Sequence, residues 1–382
     1  MQKPVRNERL TGFRCLRCAG TFGIEDHWEG CPDCLAAGYP ASLVATYAES
    51  SGDQTPSSAR DLRYGSWLPY RAATSLGEGG TPVVTLPRLA REIGTAGLFV
   101  KNESANPTGS HKDRMSVQAI ARAVDIGASL VIGASSGNAG VSIAAYAAAS
   151  GLRCEIVVAS SIAPVFRRAI ESYGATLVTV PDSLSRWTHV ERRVHADGAF
   201  PITNFHIPPV GSNPFGVEGF KTIAFELAEQ FTEDLPEAVL VPTSRADLLI
   251  GLFLGFRELA ARGRISTTPQ LYAAEPLARL SRVVAGCDYR LQHEGATQQL
   301  STAGTTVTYQ GVAALQGSGG DALVVGDAEA RHAQSDLARC GLYAELSSAA
   351  ALAGLRQLVA RRMLRPDSRA VLIMTSSGFK DP

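Results

Sequence analysis

The sequence predicts an α/β body with parallel sheets behind a small cysteine-bearing N-terminal segment. Three observations point there. Short apolar runs alternate with helix-like stretches over most of the chain. The strand-like runs are apolar on both faces, as in Leu130–Ala134 (LVIGA) and Ala238–Pro242 (AVLVP), the pattern of strands covered by helices above and below. Four of the seven cysteines fall in two CxxC pairs within residues 1–50.

Composition narrows the function classes. A length of 382 residues suggests two or three domains at roughly 150 residues each. Lys+Arg 36 balances Asp+Glu 36, so the chain shows neither the basic footprint of a nucleic-acid protein nor a polybasic membrane clamp. Hydrophobic residues make up 45% and charged ones 19%, enough apolar material for a large core. No apolar run approaches the ~20 residues of a membrane span. The opening stretch MQKPVRNERLTGFRC lacks the apolar core of a secretory signal, so a cytoplasmic protein is expected.

Three stretches follow one another. Residues 1–50 read as a zinc-ribbon-like segment, residues 51–66, polar and turn-rich, as a linker, and residues 67–382 as the α/β body. In the first, Cys15-Leu-Arg-Cys18 and Cys31-Pro-Asp-Cys34 are separated by twelve residues. Two such pairs let four thiolates converge on one zinc. Four unrelated buried thiols, or disulfides, are the alternatives, and disulfides fit poorly with a chain lacking an export signal. A site made of Cys15, Cys18, Cys31 and Cys34 is closed to water and therefore structural.

Within the body, strands are expected at Leu98–Lys101, Leu130–Ala134, Glu155–Ala159, Thr176–Val180, Ala238–Pro242, Gln270–Ala274 and Ala370–Met374. Helices are expected at Met115–Ile126, Ala139–Ser150, Pro164–Tyr173, Ser185–Ala196, Val217–Phe231, Leu248–Arg262, Ala328–Cys340 and Ser347–Arg362. Gly317-Ser-Gly-Gly320 reads as a loop. Ligands of parallel sheets bind at the carboxyl ends of strands, and the motifs that follow lie at such ends.

Asn106-Pro107-Thr108-Gly109 is a turn signal that delivers Lys112 to a helix start. There the positive end of the helix dipole disfavours an ammonium and favours the neutral amine, the nucleophile that condensation with an aldehyde needs. A lone lysine at such a place is more often a solvated helix residue. Ala134-Ser135-Ser136-Gly137-Asn138-Ala139-Gly140 follows a strand and opens a small-residue helix, exposing backbone N–H groups to a carboxylate or phosphate. Close packing of helix on sheet would also require the glycines, but not Asn138.

In their order and spacing these residues resemble the signature NPTGS(x)KDR followed by SSGN(A/T) of pyridoxal-phosphate enzymes of fold type II, the fold of the tryptophan synthase β-subunit. Several stretches narrow the resemblance to threonine synthase and its relatives. They are the cysteine ribbon, Leu76-Gly-Glu-Gly-Gly-Thr-Pro82, Asn213-Pro-Phe-Gly-Val-Glu-Gly219, Leu342-Tyr-Ala-Glu-Leu-Ser-Ser-Ala349 and the terminal Thr375-Ser-Ser-Gly-Phe-Lys-Asp-Pro382. The resemblance implies a two-lobed body, pyridoxal 5'-phosphate as cofactor, a small amino-acid substrate and a homodimer.

It also implies roles. Lys112 matches the lysine that holds the cofactor covalently and moves protons on the substrate's α and β carbons. Asn138 matches the residue bonded to the cofactor's phenolic oxygen. Thr375 matches the hydroxyl facing the pyridine nitrogen, which leaves the ring a milder electron sink, suited to elimination and replacement. Ser135, Ser136 and the backbone at Ala139 match the binding site of the substrate's α-carboxylate. Thr243, Ser244 and Arg245 occupy the place of the family's glycine-rich phosphate loop, with Asp247 close behind.

Departures matter as much. Threonine synthases carry a threonine after the SSGN asparagine and an arginine in NPxRxEG, both on the phosphate of O-phosphohomoserine; this chain has Ala139 and Gly216, and Val210-Gly211 replaces a polar pair. Charge-assisted contacts of that kind contribute roughly 1.5–3 kcal/mol each. The expected activity is therefore β- or γ-elimination or replacement on an amino acid other than O-phosphohomoserine, and Ala139→Thr with Gly216→Arg is expected to restore turnover of that compound. A serine/threonine dehydratase, a β-replacement synthase and a non-catalytic ligand-binding paralogue are the alternatives. His111 replaces the family's phenylalanine, either as a second acid/base or as a surface-facing substitution.

Overall fold

A computed structural model describes residues 3–49, 62–231 and 234–381. Residues 51–61 of the expected linker lie outside the described residues. The N-terminal segment holds β1 (Leu10–Cys15), β2 (Thr21–Phe22) and β3 (Leu43–Tyr47). There follow β4 (Val83–Thr85), β5 (Gly97–Asn102), α1 (Lys112–Asp125), β6 (Leu130–Ala134), α2 (Asn138–Ala149), β7 (Arg153–Ala159), β8 (Thr176–Val180), α3 (Ser183–Asp197), β9 (Phe200–Pro201), α4 (Pro214–Glu218) and α5 (Lys221–Gln230). The last third contributes β10 (Ala238–Pro242), α6 (Asp247–Ala261), β11 (Gln270–Glu275), α7 (Leu280–Val284), α8 (Tyr309–Ser318), β12 (Ala322–Val324), α9 (Asp327–Arg339), α10 (Leu346–Ala360) and β13 (Arg369–Met374). Among the described residues no helix is long and apolar enough to cross a membrane.

The chain divides into two compact units, Met1–Gly79 with Lys112–Phe220, and Gly80–His111 with Lys221–Asp381. In the first, four parallel strands run in the order β8-β7-β6-β9. Ile132, Val157, Trp187, Val190 and Phe205 form a core between this sheet and α3. In the second, six strands run β12-β11-β10-β13-β5-β4, all parallel except the β4–β5 pair. Its core gathers Leu98, Leu240, Leu323, Leu352 and Leu372. Strands buried on both faces explain why the runs LVIGA and AVLVP lack alternation.

The cysteine-bearing segment is an antiparallel three-stranded sheet, β2-β1-β3, and it is anchored on its own unit. The Phe13 ring meets Phe215 edge-on at 4.9 Å. Arg122 of α1 holds Asp26 through two bonds of 3.0 and 2.9 Å and donates to the Ile24 carbonyl at 3.1 Å. Glu218 of α4 accepts from the Tyr47 hydroxyl at 2.9 Å.

Two expectations need correction. The helix expected over Val217–Phe231 is two helices, α4 and α5, broken at Gly219–Phe220. A Cβ on Gly219 would collide with the Arg114 carbonyl oxygen, so the chain approaches α1 too closely there to admit any other residue. The expected loop at Gly317–Gly320 begins inside α8, whose C-terminus is closed by Gly319 at φ 69, the left-handed conformation that glycine adopts without strain.

Candidate active site

In the first unit, Lys112 is the first residue of α1, a helix of 14 residues. Its ammonium lies 5.4 Å from the centre of the Phe220 ring. The neighbouring Asp113 is fully buried and accepts from the Ser142 hydroxyl at 2.6 Å, which is 2.7 Å from that of Ser116. One hydroxyl chain thus ties α1 to α2, the helix that begins at Asn138.

The loop Ser135–Gly137 sits between β6 and α2, with Asn138 buried at the helix's first position. Glycine shapes it. A Cβ on Gly140 would lie 2.7 Å from the Ser135 carbonyl oxygen, 3.0 Å from Ile156 and 3.1 Å from Ile170. The Ser135 hydroxyl accepts the Gly137 N–H at 3.3 Å. The Ser136 oxygen accepts the Ala159 N–H at 2.8 Å and Arg186 at 3.3 Å, so its lone pairs serve β7 and α3 while its O–H proton is left to donate. Glu78 of the LGEGG stretch accepts the Tyr146 hydroxyl at 2.6 Å and the Leu76 N–H at 3.1 Å. Burial, then the Glu78 charge, pushes the Tyr146 phenol up, so it stays a donor.

Gly216 has a packing reason of its own. A Cβ there would lie 2.9 Å from Met115 Cγ, 3.1 Å from Ala119 Cβ and 3.2 Å from the Met115 carbonyl. The position lies against α1, and an arginine would force the two helices apart. The expected rescue by Ala139→Thr with Gly216→Arg is therefore corrected: the second substitution breaks packing before it offers a donor.

In the second unit, Thr243, Ser244, Arg245 and Ala246 link β10 to α6. Ala246 is left-handed at φ 64, where a family glycine would carry no strain. A Cβ on Gly311 would lie 3.0 Å from the Ala246 Cβ, so a glycine across the gap makes room for the methyl that the loop gained. Asp247 accepts from Gln310 Nε2 at 2.6 Å. Thr375, one residue beyond β13, shares a 2.6 Å hydrogen bond with the buried Ser348 hydroxyl. His111 is 8% exposed, with Nδ1 3.3 Å from the Thr375 carbonyl, so the surface-facing alternative for it is excluded. At that contact the ring nitrogen is the donor.

The cysteines converge. The four Sγ atoms lie within 4.8 Å of one another, with Cys15 to Cys34 at 3.7 Å and Cys18 to Cys31 at 3.6 Å. A tetrahedron with metal–sulfur bonds of ~2.3 Å has sulfurs ~3.8 Å apart, so the arrangement fits a closed four-thiolate site. The Gly20 N–H, 3.4 Å from Cys18 Sγ, brings that thiol down to about 7.

Sequence reasoning missed the groups behind these residues: Glu78 with Tyr146, Ser348, Gln310 and Arg279. Arg279 is fully buried and donates to the Thr243 carbonyl at 3.1 Å. A signal existed. The strand β11 ends in Glu275, and a carboxylate closing a doubly apolar strand demands a partner, which Arg279 supplies four residues on at 3.4 Å.

Comparison with known proteins agrees with this geometry. The profile of the family described as "Pyridoxal-phosphate dependent enzyme" matches residues 74–376. The threonine synthase of Methanocaldococcus jannaschii is 31% identical over 97% of this chain and 93% of its own length. That of Bacillus sp. is 31% identical over 84% of this chain and 89% of its own. Among solved structures, O-ureido-L-serine synthase superposes with a TM-score of 0.67 at 23% identity, over 81% of this chain and 92% of its own. A fungal L-serine ammonia-lyase from Rhizomucor miehei gives 0.68 at 20% identity, over 78% and 94%.

Proposed function

The chain belongs to the family of pyridoxal-phosphate-dependent enzymes, and from that premise we propose that it performs β- or γ-elimination or replacement on an amino acid other than O-phosphohomoserine. At the coarser level it is a pyridoxal-phosphate-dependent lyase, similar to threonine synthase. The observation that carries the reading is Lys112 at the first position of α1, within NPTGSHKDR. When bound, the cofactor supplies the electron sink for charge developing at the substrate's α carbon.

The chain's own residues do the rest. Lys112 would hold the cofactor and carry protons to and from the α and β carbons. Asn138 would orient the cofactor's phenolic oxygen, and Thr375, whose hydroxyl is held by Ser348, would face the ring nitrogen. Thr243, Ser244 and Arg245 take the cofactor phosphate. The Ser135 and Ser136 hydroxyls, with the backbone at Ala139, take the α-carboxylate at the start of α2. Cys15, Cys18, Cys31 and Cys34 hold one structural zinc; elemental analysis of purified protein is expected to find it, and metal-free protein with an intact ribbon would contradict the assignment. The working form we assign is a cytoplasmic homodimer.

Ala139 and Gly216 support a substrate other than O-phosphohomoserine. A leaving group with nearly two charges must be desolvated, and that cost is offset only by converging donors. Loss of two such donors costs about 10²–10⁴ in kcat/KM. A steady-state comparison of O-phosphohomoserine with L-serine and O-acetyl-L-serine tests this. The phosphate ester is expected to be the poorest of the three, and family-like conversion of it to threonine would contradict the proposal. Absence of turnover and of any cofactor absorbance would favour the ligand-binding paralogue.

A further inference from the structure

The loop after β10 lacks the glycines of its family, yet its backbone is held at two carbonyls. The Thr243 carbonyl accepts from Arg279 Nη2 at 3.1 Å. The Arg245 carbonyl accepts from Thr308 Oγ1 at 2.6 Å and from Gln310 Nε2 at 2.8 Å. In a trans peptide the carbonyl and the N–H of the next residue point in opposite directions. Drawing the Thr243 and Arg245 carbonyls against these donors therefore turns the N–H groups of Ser244 and Ala246 the other way. They join the first N–H groups of α6, which have no intrahelical acceptor. An anion is held by such a set.

Arg279 is built for this task. It is fully buried, and its Nη1 donates to the carbonyl of Gly304. Glu275, also fully buried, accepts the N–H groups of Arg279, Leu280 and Ser281 at 3.1, 2.9 and 2.8 Å. The guanidinium is thereby fixed from behind by a carboxylate that is itself fixed. Gly304 marks where the loop's side chains meet: a Cβ there would lie 2.9 Å from Ser244 Oγ and 2.9 Å from Arg245 Nη1. Burial, with Arg245 among the nearby charges, brings the Arg279 guanidinium down to about 10, which leaves it charged at neutral pH.

We infer that Arg279 is a positioning residue of the phosphate loop. By holding the carbonyls of Thr243 and Gly304 it keeps the loop's N–H groups, Ser244 and Arg245 aimed at the cofactor phosphate, a task that glycines perform elsewhere in the family. The inference rests on the reading of Thr243–Asp247 as the phosphate site, and it gives the side-chain framework that keeps such a loop competent.

The test compares two aldehydes that differ only in the phosphate. The full-length protein is titrated with pyridoxal 5'-phosphate and with pyridoxal by absorbance, as wild type, Arg279→Met and Arg279→Lys. Arg279→Met is expected to raise Kd for pyridoxal 5'-phosphate by about tenfold or more while Kd for pyridoxal stays within about twofold. Arg279→Lys, which keeps the charge but loses the fork, is expected to fall between. Equal weakening for both aldehydes, or unchanged affinity for both, overturns the inference. Should Arg279→Met fail to fold, the same comparison on Arg279→Lys decides. A wild type that binds neither aldehyde overturns the reading of the loop itself, and the inference with it, which is distinct from a wild type that binds and a variant that binds equally well.

Discussion

The two loops to which we assign anion binding are built in opposite ways. Each follows a buried parallel strand and opens a helix, β6 into α2 and β10 into α6. The Ser135–Gly137 loop is shaped by what is missing: Gly140 has no side chain, so its α-carbon sits against the Ser135 carbonyl. The Thr243–Ala246 loop is shaped by what has been added, since Arg279, Thr308 and Gln310 hold its carbonyls and Ala246 stays left-handed without a glycine. On the proposed assignment, backbone freedom and side-chain restraint are interchangeable means of presenting N–H groups to an anion. They differ in how they fail.

The first way to break the comparison carries the largest effect. Gly140→Ala places a methyl 2.7 Å from a backbone oxygen that cannot yield without moving the loop. A loss of about 2–3 kcal/mol is expected, together with weaker substrate binding. Thermal melts and substrate titration check it, and a variant as stable as wild type would mean that the loop is not held by that contact. The converse substitution in the other loop is milder. Ala246→Gly removes the cost of a left-handed alanine, roughly 1–2 kcal/mol, but adds freedom to the unfolded chain and vacates the space beside Gly311. The expected gain is about 0.5 kcal/mol by denaturant titration. A loss above about 1 kcal/mol would show that methyl packing outweighs strain.

The same contrast explains what could be read from the sequence. The strands Leu130–Ala134 and Ala238–Pro242 have the expected bounds, because a doubly buried strand is a continuous apolar run between polar turns, and the half-exposed edge strand Thr176–Val180 has them too, marked off by its β-branched residues. Lys112 falls at a helix start because the turn Asn106–Gly109 is local chemistry. The cysteines cluster because their spacing is itself the information. What could not be read is non-local. The break at Gly219 depends on Arg114, about a hundred residues earlier. The contact of His111 with the Thr375 carbonyl and the support of the Thr243 carbonyl by Arg279 join residues far apart in the sequence. The expected rescue at Gly216 failed for the same cause. That the position lacks the family's arginine is plain in the sequence, but that an arginine cannot simply be put back depends on the contact with Met115 and Ala119.

The central claim is that Lys112 at the start of α1 is the cofactor's covalent attachment point. Borohydride reduction of the protein loaded with pyridoxal 5'-phosphate, followed by peptide mapping, tests it most directly. The account predicts a single pyridoxyl label on Lys112, and in Lys112→Ala no label and no turnover. A label on another lysine, or none on a protein that shows cofactor absorbance, would contradict it.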